Sequence, residues 1–295
     1  MELWAVITVA AAFLQNLRSY LQRRLTGKLS VNGASFVRFI YALPFAAIYI
    51  GLIATTIELP EPDFEFFFYC LVGGVAQILA TMALVASLVG SNFAVGTALS
   101  KTETLQAALF GFLLLGETLT MPMWLGVVIS FVGVLMLSGL LSGKAPLKSL
   151  VSGDRGVILG LLAGTGFAIS AVAFRGASLS LPEGEPMVRA AMTLVVSLVL
   201  QVSSMGSFLR FTEPHEMGRV WQQRKIGVLV GLAGACASAG WFTAMTLTQA
   251  ALVRAVGQVE LLFTFITAVW ILRERVTSQE IIGAVLILCG ILLLI

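Results

Sequence analysis

Residues 96–120, GTALSKTETLQAALFGFLLLGETLT, form an apolar, helix-forming run that nevertheless carries Lys101 and Glu103 near its middle. The run occurs twice. With a fixed offset of 157, Leu99–Leu137 aligns with Val256–Leu294. This puts Glu103 on Glu260, Glu117 on Glu274, Thr120 on Thr277, Gly126 on Gly283 and Gly133 on Gly290. A gap-free register matching that many polar and glycine positions marks an internal duplication. The same offset pairs Arg18 with Arg175. A second offset of 151 pairs Gly33, Val37 and Arg38 with Gly184, Val188 and Arg189. The chain therefore divides into two homologous halves, 1–141 and 154–295, around a joint.

Composition says where such halves reside. With 58 % apolar residues, 11 % charged residues and a mean hydropathy of +0.98, the 295-residue chain has too few polar groups to coat a soluble globule. It reads as a membrane protein. The first run, MELWAVITVAAAF, has an acid and no base before it, unlike a signal peptide, and is expected to stay. Cys70, Cys236 and Cys289 are scattered through apolar runs and fit neither a disulfide framework nor a metal site, so they read as packing residues. A net charge of +3 is too small to imply nucleic-acid binding.

A helix needs about 20 apolar residues to cross the hydrocarbon core. Ten such runs fall at 2–22, 33–56, 66–89, 92–115, 120–140, 155–177, 185–205, 226–247, 249–272 and 277–295. The expected fold is all-α, with ten transmembrane helices. Five per half is odd, so the second half must enter the membrane inverted, giving two inverted five-helix repeats. The odd-numbered connections hold Arg23, Arg24, Lys28, Lys144, Lys148, Arg155, Arg210, Arg219, Arg224, Lys225, Arg273 and Arg275. The even-numbered loops hold no lysine or arginine, and the second, TTIELPEPDFEFF, is acidic. The positive-inside rule places the odd connections in the cytoplasm and both termini outside.

Two five-helix halves, each with a fourth helix ending in an acid-bearing turn (Gly116-Glu117-Thr118-Leu119-Thr120 and Arg273-Glu274-Arg275-Val276-Thr277) and followed by Gly126 with Gly133 or Gly283 with Gly290, resemble the EamA-type branch of the drug/metabolite transporter superfamily. The resemblance spans the chain. It implies an inverted-repeat bundle with a central substrate cavity and alternating access, moving amino acids, other metabolites or drugs. Many relatives carry a basic second connection with cytoplasmic termini; here that loop is acidic.

Ionisable residues at mid-membrane are costly and usually face protein or a water-filled cavity. Glu103 lies about 21 Å along its helix from Glu117 at 1.5 Å per residue, and Glu260 has the equivalent depth in the ninth run. Both are candidates for substrate or proton binding, or for structural ion pairs. Lys101 precedes Glu103 by two residues, about 200° around a continuous helix, which puts the two on different faces. It could hold a substrate carboxylate or bridge to a glutamate; its repeat mate is the neutral Gln258. Arg254 stands about 9 Å along the helix from Glu260. With Lys101 beside Glu103 and no such neighbour beside Glu260, the along-helix reading makes Glu260 the better proton carrier. Arg18 and Arg38, near the ends of the first two runs, and their mirror mates Arg175 and Arg189 read as rim or gate residues, or as arginines snorkelling to the interface. Gln15 is preferred over Asn16 as a cavity residue. Gln77, Gln106 and Gln249 read as interhelical glue, and Phe13, Tyr41, Trp241 and Phe263 could line a pocket.

His215 is the only histidine and no GxxxxGK[ST] run exists, so the sequence offers no zinc or haem ligand set, no ATP drive and no cofactor. The expected activity is secondary transport of a small polar or amphipathic metabolite, amino-acid-like or drug-like, in the export direction that the resemblance implies. Proton coupling is one route. The expected setting is the lipid bilayer of the cell's inner (plasma) membrane, with a multi-pass monomer and a small-molecule partner. The competing class is a non-transporting membrane protein, either a lipid-handling enzyme or a scaffold.

Overall fold

A computed structural model describes residues 2–25, 27–87, 96, 99–138, 155–182, 184–270 and 277–295. Among them are thirteen α-helices and no strand: α1 (Leu3–Arg23), α2 (Val31–Ile40), α3 (Leu43–Ala54), α4 (Phe64–Ser87), α5 (Glu103–Leu115), α6 (Met121–Leu137), α7 (Arg155–Ser180), α8 (Pro186–Thr212), α9 (Pro214–Gln222), α10 (Arg224–Leu247), α11 (Ala250–Gly257), α12 (Val259–Trp270) and α13 (Ser278–Leu294). Five segments, namely 31–54, α4, α7, α8 and α10, are long and apolar enough to cross a membrane; α5, α6 and α13 are shorter apolar helices. Much of the outer surface is leucine, isoleucine and phenylalanine, as a bilayer requires. The second-half turn 273–276, the basic residues Lys144, Lys148, Arg273 and Arg275, and the joint between the halves lie outside the described residues.

Contacts follow the duplication. α4 packs on α7, and α10 packs on α1. Because α1 is the mate of α7 and α4 the mate of α10, these are one contact made twice. α6 packs on its own mate, α13, where four glycines let the backbones meet. A Cβ on Gly133 would stand 2.7 Å from the Gly283 carbonyl oxygen, and one on Gly283 2.8 Å from that of Gly133. Gly126 and Gly290 repeat the arrangement at 3.0 and 2.7 Å. A two-fold exchange of the halves turns the first pair into the second. No side chain fits at any of the four, which explains why this spacing recurs in both halves.

The connections sort onto two faces. On one, the start of α2 meets α9: the Ser30 N–H donates to Glu216 Oε2 at 2.9 Å, and Asn32 Nδ2 to Glu213 Oε1 at 2.6 Å. On the other, Gln249 Nε2 donates to the Thr118 carbonyl at 3.1 Å, and Pro60 lies beside Gly184. Among the described residues the first connection thus meets the seventh, the second meets the sixth and the fourth meets the eighth.

Three of the expected continuous helices are interrupted. The second run breaks at Tyr41–Ala42, between α2 and α3. Pro44 in the first turn of α3 has no N–H to donate to the Ile40 carbonyl. The Tyr41 backbone then packs into a space on α10 that only Gly231 leaves open. The fourth run breaks just before α5, and the ninth between α11 and α12. Thr104 N–H donates to Lys101 O at 3.4 Å, and its mate Leu261 N–H to Gln258 O at 2.9 Å. Each is an i→i−3 bond of a tightened turn. Thr102 (φ −60, ψ −13) and Gln258 (φ −60, ψ −12), one residue out of the 157 register, have the same backbone. The two halves interrupt the same helix at a depth that agrees to within one residue.

Of the cysteines, Cys70 is buried, whereas Cys236 and Cys289 are exposed on the outer surface. Only the first packs in the interior as expected. The amphipathic α9, absent from the sequence reading, lies within the seventh connection.

Candidate functional site

The two breaks bring their charges to one place. Glu103 and Glu260 become first-turn residues of α5 and α12, where the N-terminal end of a helix dipole favours a carboxylate. Each meets a cation from the other half. Lys101 Nζ forms an ion pair with Glu260 Oε1, and Gln15 Nε2 donates to Glu260 Oε2 at 2.8 Å. Arg254 Nη1 stands 4.0 Å from Glu103 Oε1, with its guanidinium over the Trp241 ring at 5.1 Å. The pairing crosses the chain and reverses the along-helix reading: Glu260 is the closely held carboxylate and Glu103 the loosely held one.

Between the pairs lies a cavity of about 50 Å³. From α1 come Gln15 and Arg18, from α2 Arg38, and from α4 Gln77. Ser100, Lys101 and Glu103 come from the first break, and Arg254 from α11. Lys101 and Glu103 both line it. The 200° argument that separated them assumes a continuous helix, and the turn between them removes that assumption. One face of α10 closes the wall with Ser238, Trp241, Phe242 and Met245, joined by Phe167 of α7. The positions 238, 241, 242 and 245 have the i, i+3, i+4, i+7 spacing of a helix face, a signal present in the sequence but not assigned there.

Arg18, Arg38 and Arg254 are each only 8 % exposed, and Glu103 7 %. Arg18 reaches the wall past Gly234, where a Cβ would stand 3.3 Å from its Cδ. Arg38 Nη1 donates to Thr81 Oγ1 at 3.1 Å. Arg18 and Arg38 therefore sit in the cavity wall, not at a rim, and their mates do not mirror them. Arg175 pairs with Glu117 and donates through Nη1 to the carbonyls of Met245 and Thr248, both at 2.5 Å. It ties α7 to the end of α5 and the end of α10. Arg189 is half-buried near Gly184 and Pro60, on the face of the even connections.

Of the remaining candidates, Gln77 and Trp241 line the cavity and the others lie outside it or behind its wall. Gln258 is buried, with Nε2 donating to Thr104 Oγ1 at 2.7 Å and Oε1 without a partner among the described residues. Asn16 Nδ2 donates to Thr264 Oγ1 at 2.7 Å. Gln77 accepts from Gln201 Nε2 at 2.9 Å, tying α4 to α8. Gln106 donates to Thr102 within its own segment. Of the aromatics, Trp241 lines the cavity, Phe13 is exposed in an edge-to-face pair with Phe263, and Tyr41 Oη donates to the Val220 carbonyl at 3.0 Å. Among the described residues no three His, Cys, Asp or Glu side chains gather to hold a metal.

Comparison with known proteins bears on the architecture. The profile described as the EamA-like transporter family matches residues 2–139 and again 154–295. No curated protein sequence matches the chain. A protein of known crystal structure superimposes with a TM-score of 0.72 at 17 % identity, covering 98 % of this chain and 97 % of that one. At that identity the likeness concerns the fold alone.

Proposed function

We propose, on the premise that this multi-pass membrane chain belongs to the EamA-like transporter family, that it is a secondary transporter which exports a small polar or amphipathic metabolite by alternating access. The observation that carries the reading is the buried, charged cavity where two mirrored helix breaks meet. Interrupted helices at corresponding positions of two repeats are where transporters place their substrate, and buried charges inside a membrane bundle mark a pathway. A volume of about 50 Å³ admits a few waters and falls well short of a ligand pocket of about 300 Å³ or more. We read this conformation as closed around the site.

In this scheme ten spans cross the inner membrane in two units, 1–141 and 154–295, acting as a monomer. The basic odd connections face the cytoplasm and both termini lie outside. The Arg175–Glu117 pair, with its two carbonyl contacts, then lies towards the outer side and must part for release. A proton-coupled cycle would run through Glu103, which lines the cavity and has its cation 4.0 Å away.

The test is a melting screen of the detergent-purified chain against metabolites, followed by flux of each stabilising compound in proteoliposomes. A ligand at a hundred times its Kd adds about 2.7 kcal/mol. We expect at least one stabilising compound to cross the membrane only when the protein is present. Compounds that bind yet never cross would favour the lipid-handling or scaffold alternative.

A further inference from the structure

We propose that the substrate of this cavity is a small organic anion whose carboxylate or phosphate is held by Arg18 and Arg38. The assignment rests on the cavity being the transport site and narrows what that site accepts. The argument is one of charge. Arg18, Arg38, Lys101 and Arg254 supply four positive charges to the wall, whereas Glu103 and the Glu260 behind Lys101 supply two negative ones. Two cations remain uncompensated among the described residues.

Geometry identifies which two. Lys101 is occupied by Glu260, and Arg254 is shared between Glu103 and the Trp241 ring. Arg18 makes no hydrogen bond or ion pair among the described residues, and its buried Nε has no partner. Among the described residues Arg38 has only the neutral Thr81 hydroxyl and the Phe39 ring. Arginine cannot shed its proton to escape burial, and an unpaired buried charge is strongly unfavourable. Two such guanidiniums facing one cavity are stabilised by an anion that presents paired oxygens to their forks. Trp241, Phe242 and Phe167 offer an apolar wall for the organic part. A cationic compound would instead add to a surplus of like charge.

The experiment melts the full chain in detergent with succinate, benzoate or inorganic phosphate. Each organic anion is compared with its neutral amide, succinamide or benzamide, and with benzylamine, at ionic strength matched by sodium chloride. An anion should stabilise saturably where its amide does not. Arg18→Gln and Arg38→Gln should each weaken that anion at least tenfold and raise the ligand-free Tm, because each removes an uncompensated charge. If a Gln variant fails to fold, Arg38→Lys keeps the charge but loses the fork, and the same tenfold loss is expected. Anions that do no better than their amides overturn the proposal, as does a shift that survives in both arginine variants. Counterflow of the same probes in proteoliposomes separates the two readings. Flux of an amide or amine without any anion leaves transport standing and removes the anion assignment. Arginine-dependent anion binding with no flux of any probe does the reverse.

Discussion

The two halves share a frame and differ in what they hang on it. The glycine pairs on α6 and α13, the α4–α7 and α1–α10 contacts and the two helix breaks all obey one two-fold exchange. The polar residues do not. At the breaks Lys101 has Gln258 as its repeat mate; one is half of an ion pair, the other donates a single amide hydrogen bond. Arg18 lines the cavity with no hydrogen bond or ion pair among the described residues, while its mate Arg175 is clamped by Glu117 and two carbonyls. Backbone symmetry needs only small residues at crossings and turns at matching depth. A binding site needs convergent charge, which the halves supply from unlike positions.

The largest effect expected from this difference is at the breaks. Lys101→Met leaves the partly buried Glu260 carboxylate with the Gln15 amide but without its cation, a loss that approaches the about 3–5 kcal/mol of a broken buried pair. The mate Gln258→Met gives up one hydrogen bond from a side chain whose Oε1 already lacks a partner among the described residues, costing about 1 kcal/mol. The double variant Lys101→Met/Glu260→Gln should recover much of the first loss. Denaturant or thermal melts of the four proteins measure it; equal costs at positions 101 and 258 would make the breaks equivalent and end the distinction.

How much of this could be read beforehand depends on what a sequence encodes locally. The 157-residue offset exposed Gly126, Gly133, Gly283 and Gly290, because a close crossing is written in the residues that make it. Apolar runs located most helices for the same reason. The breaks were not legible: a single tightened turn leaves hydropathy unchanged, and the only local hint, Gly257 beside the Trp241 ring, has Ser100 as its counterpart in the first half. Cross-half pairing was legible only as an alternative, a bridge from Lys101 to a glutamate, since spacing reports neighbours along a helix and Glu260 finds Lys101 across the bundle. Depth failed for Arg18 and Arg38 because counting from the edge of a run ignores α10, which covers them.

A middle-sized effect separates the two mated arginines. Arg175→Gln removes an ion pair and two short carbonyl contacts, and hydrogen bonds to charged groups are worth about 1.5–3 kcal/mol, so the variant should lose about 2–3 kcal/mol in all. Arg18→Gln, which gives up no hydrogen bond or ion pair among the described residues and removes an uncompensated charge, should lose nothing and melt higher than the parent. A cysteine introduced near Thr118 should also label faster in the Arg175→Gln protein, since the tie between α7, α5 and α10 is gone. Equal melting shifts for the two variants would restore the mirrored gate that the sequence alone suggested.

The smallest expected effect concerns the start of the second helix in each half. α2 begins under an acid clamp from α9: Glu216 accepts from the Ser30 N–H, and Glu213 from Asn32 Nδ2. α8, its mate, opens instead on Pro186, with no side-chain cap. Burial pushes the Glu216 carboxyl up, but the Ser30 N–H and Arg219 outweigh it and hold the group below the ordinary carboxylate range. Arg219 is 60 % exposed, so solvent screens its share and the backbone donor matters more. A carboxylate whose folded pKa is depressed adds stability above its unfolded pKa, about 4.3 for glutamate. That stability drains away as pH falls through the lower folded value. Glu216→Gln should therefore cost about 1 kcal/mol at pH 7, and the gap to the parent protein should narrow steadily below about pH 4.3. Melts at pH 7, 5 and 4 read it directly. A gap that stays constant across that range would mean that Glu216 acts by packing against Gly33 and not by charge. The asymmetry between the two helix starts would then be one of shape.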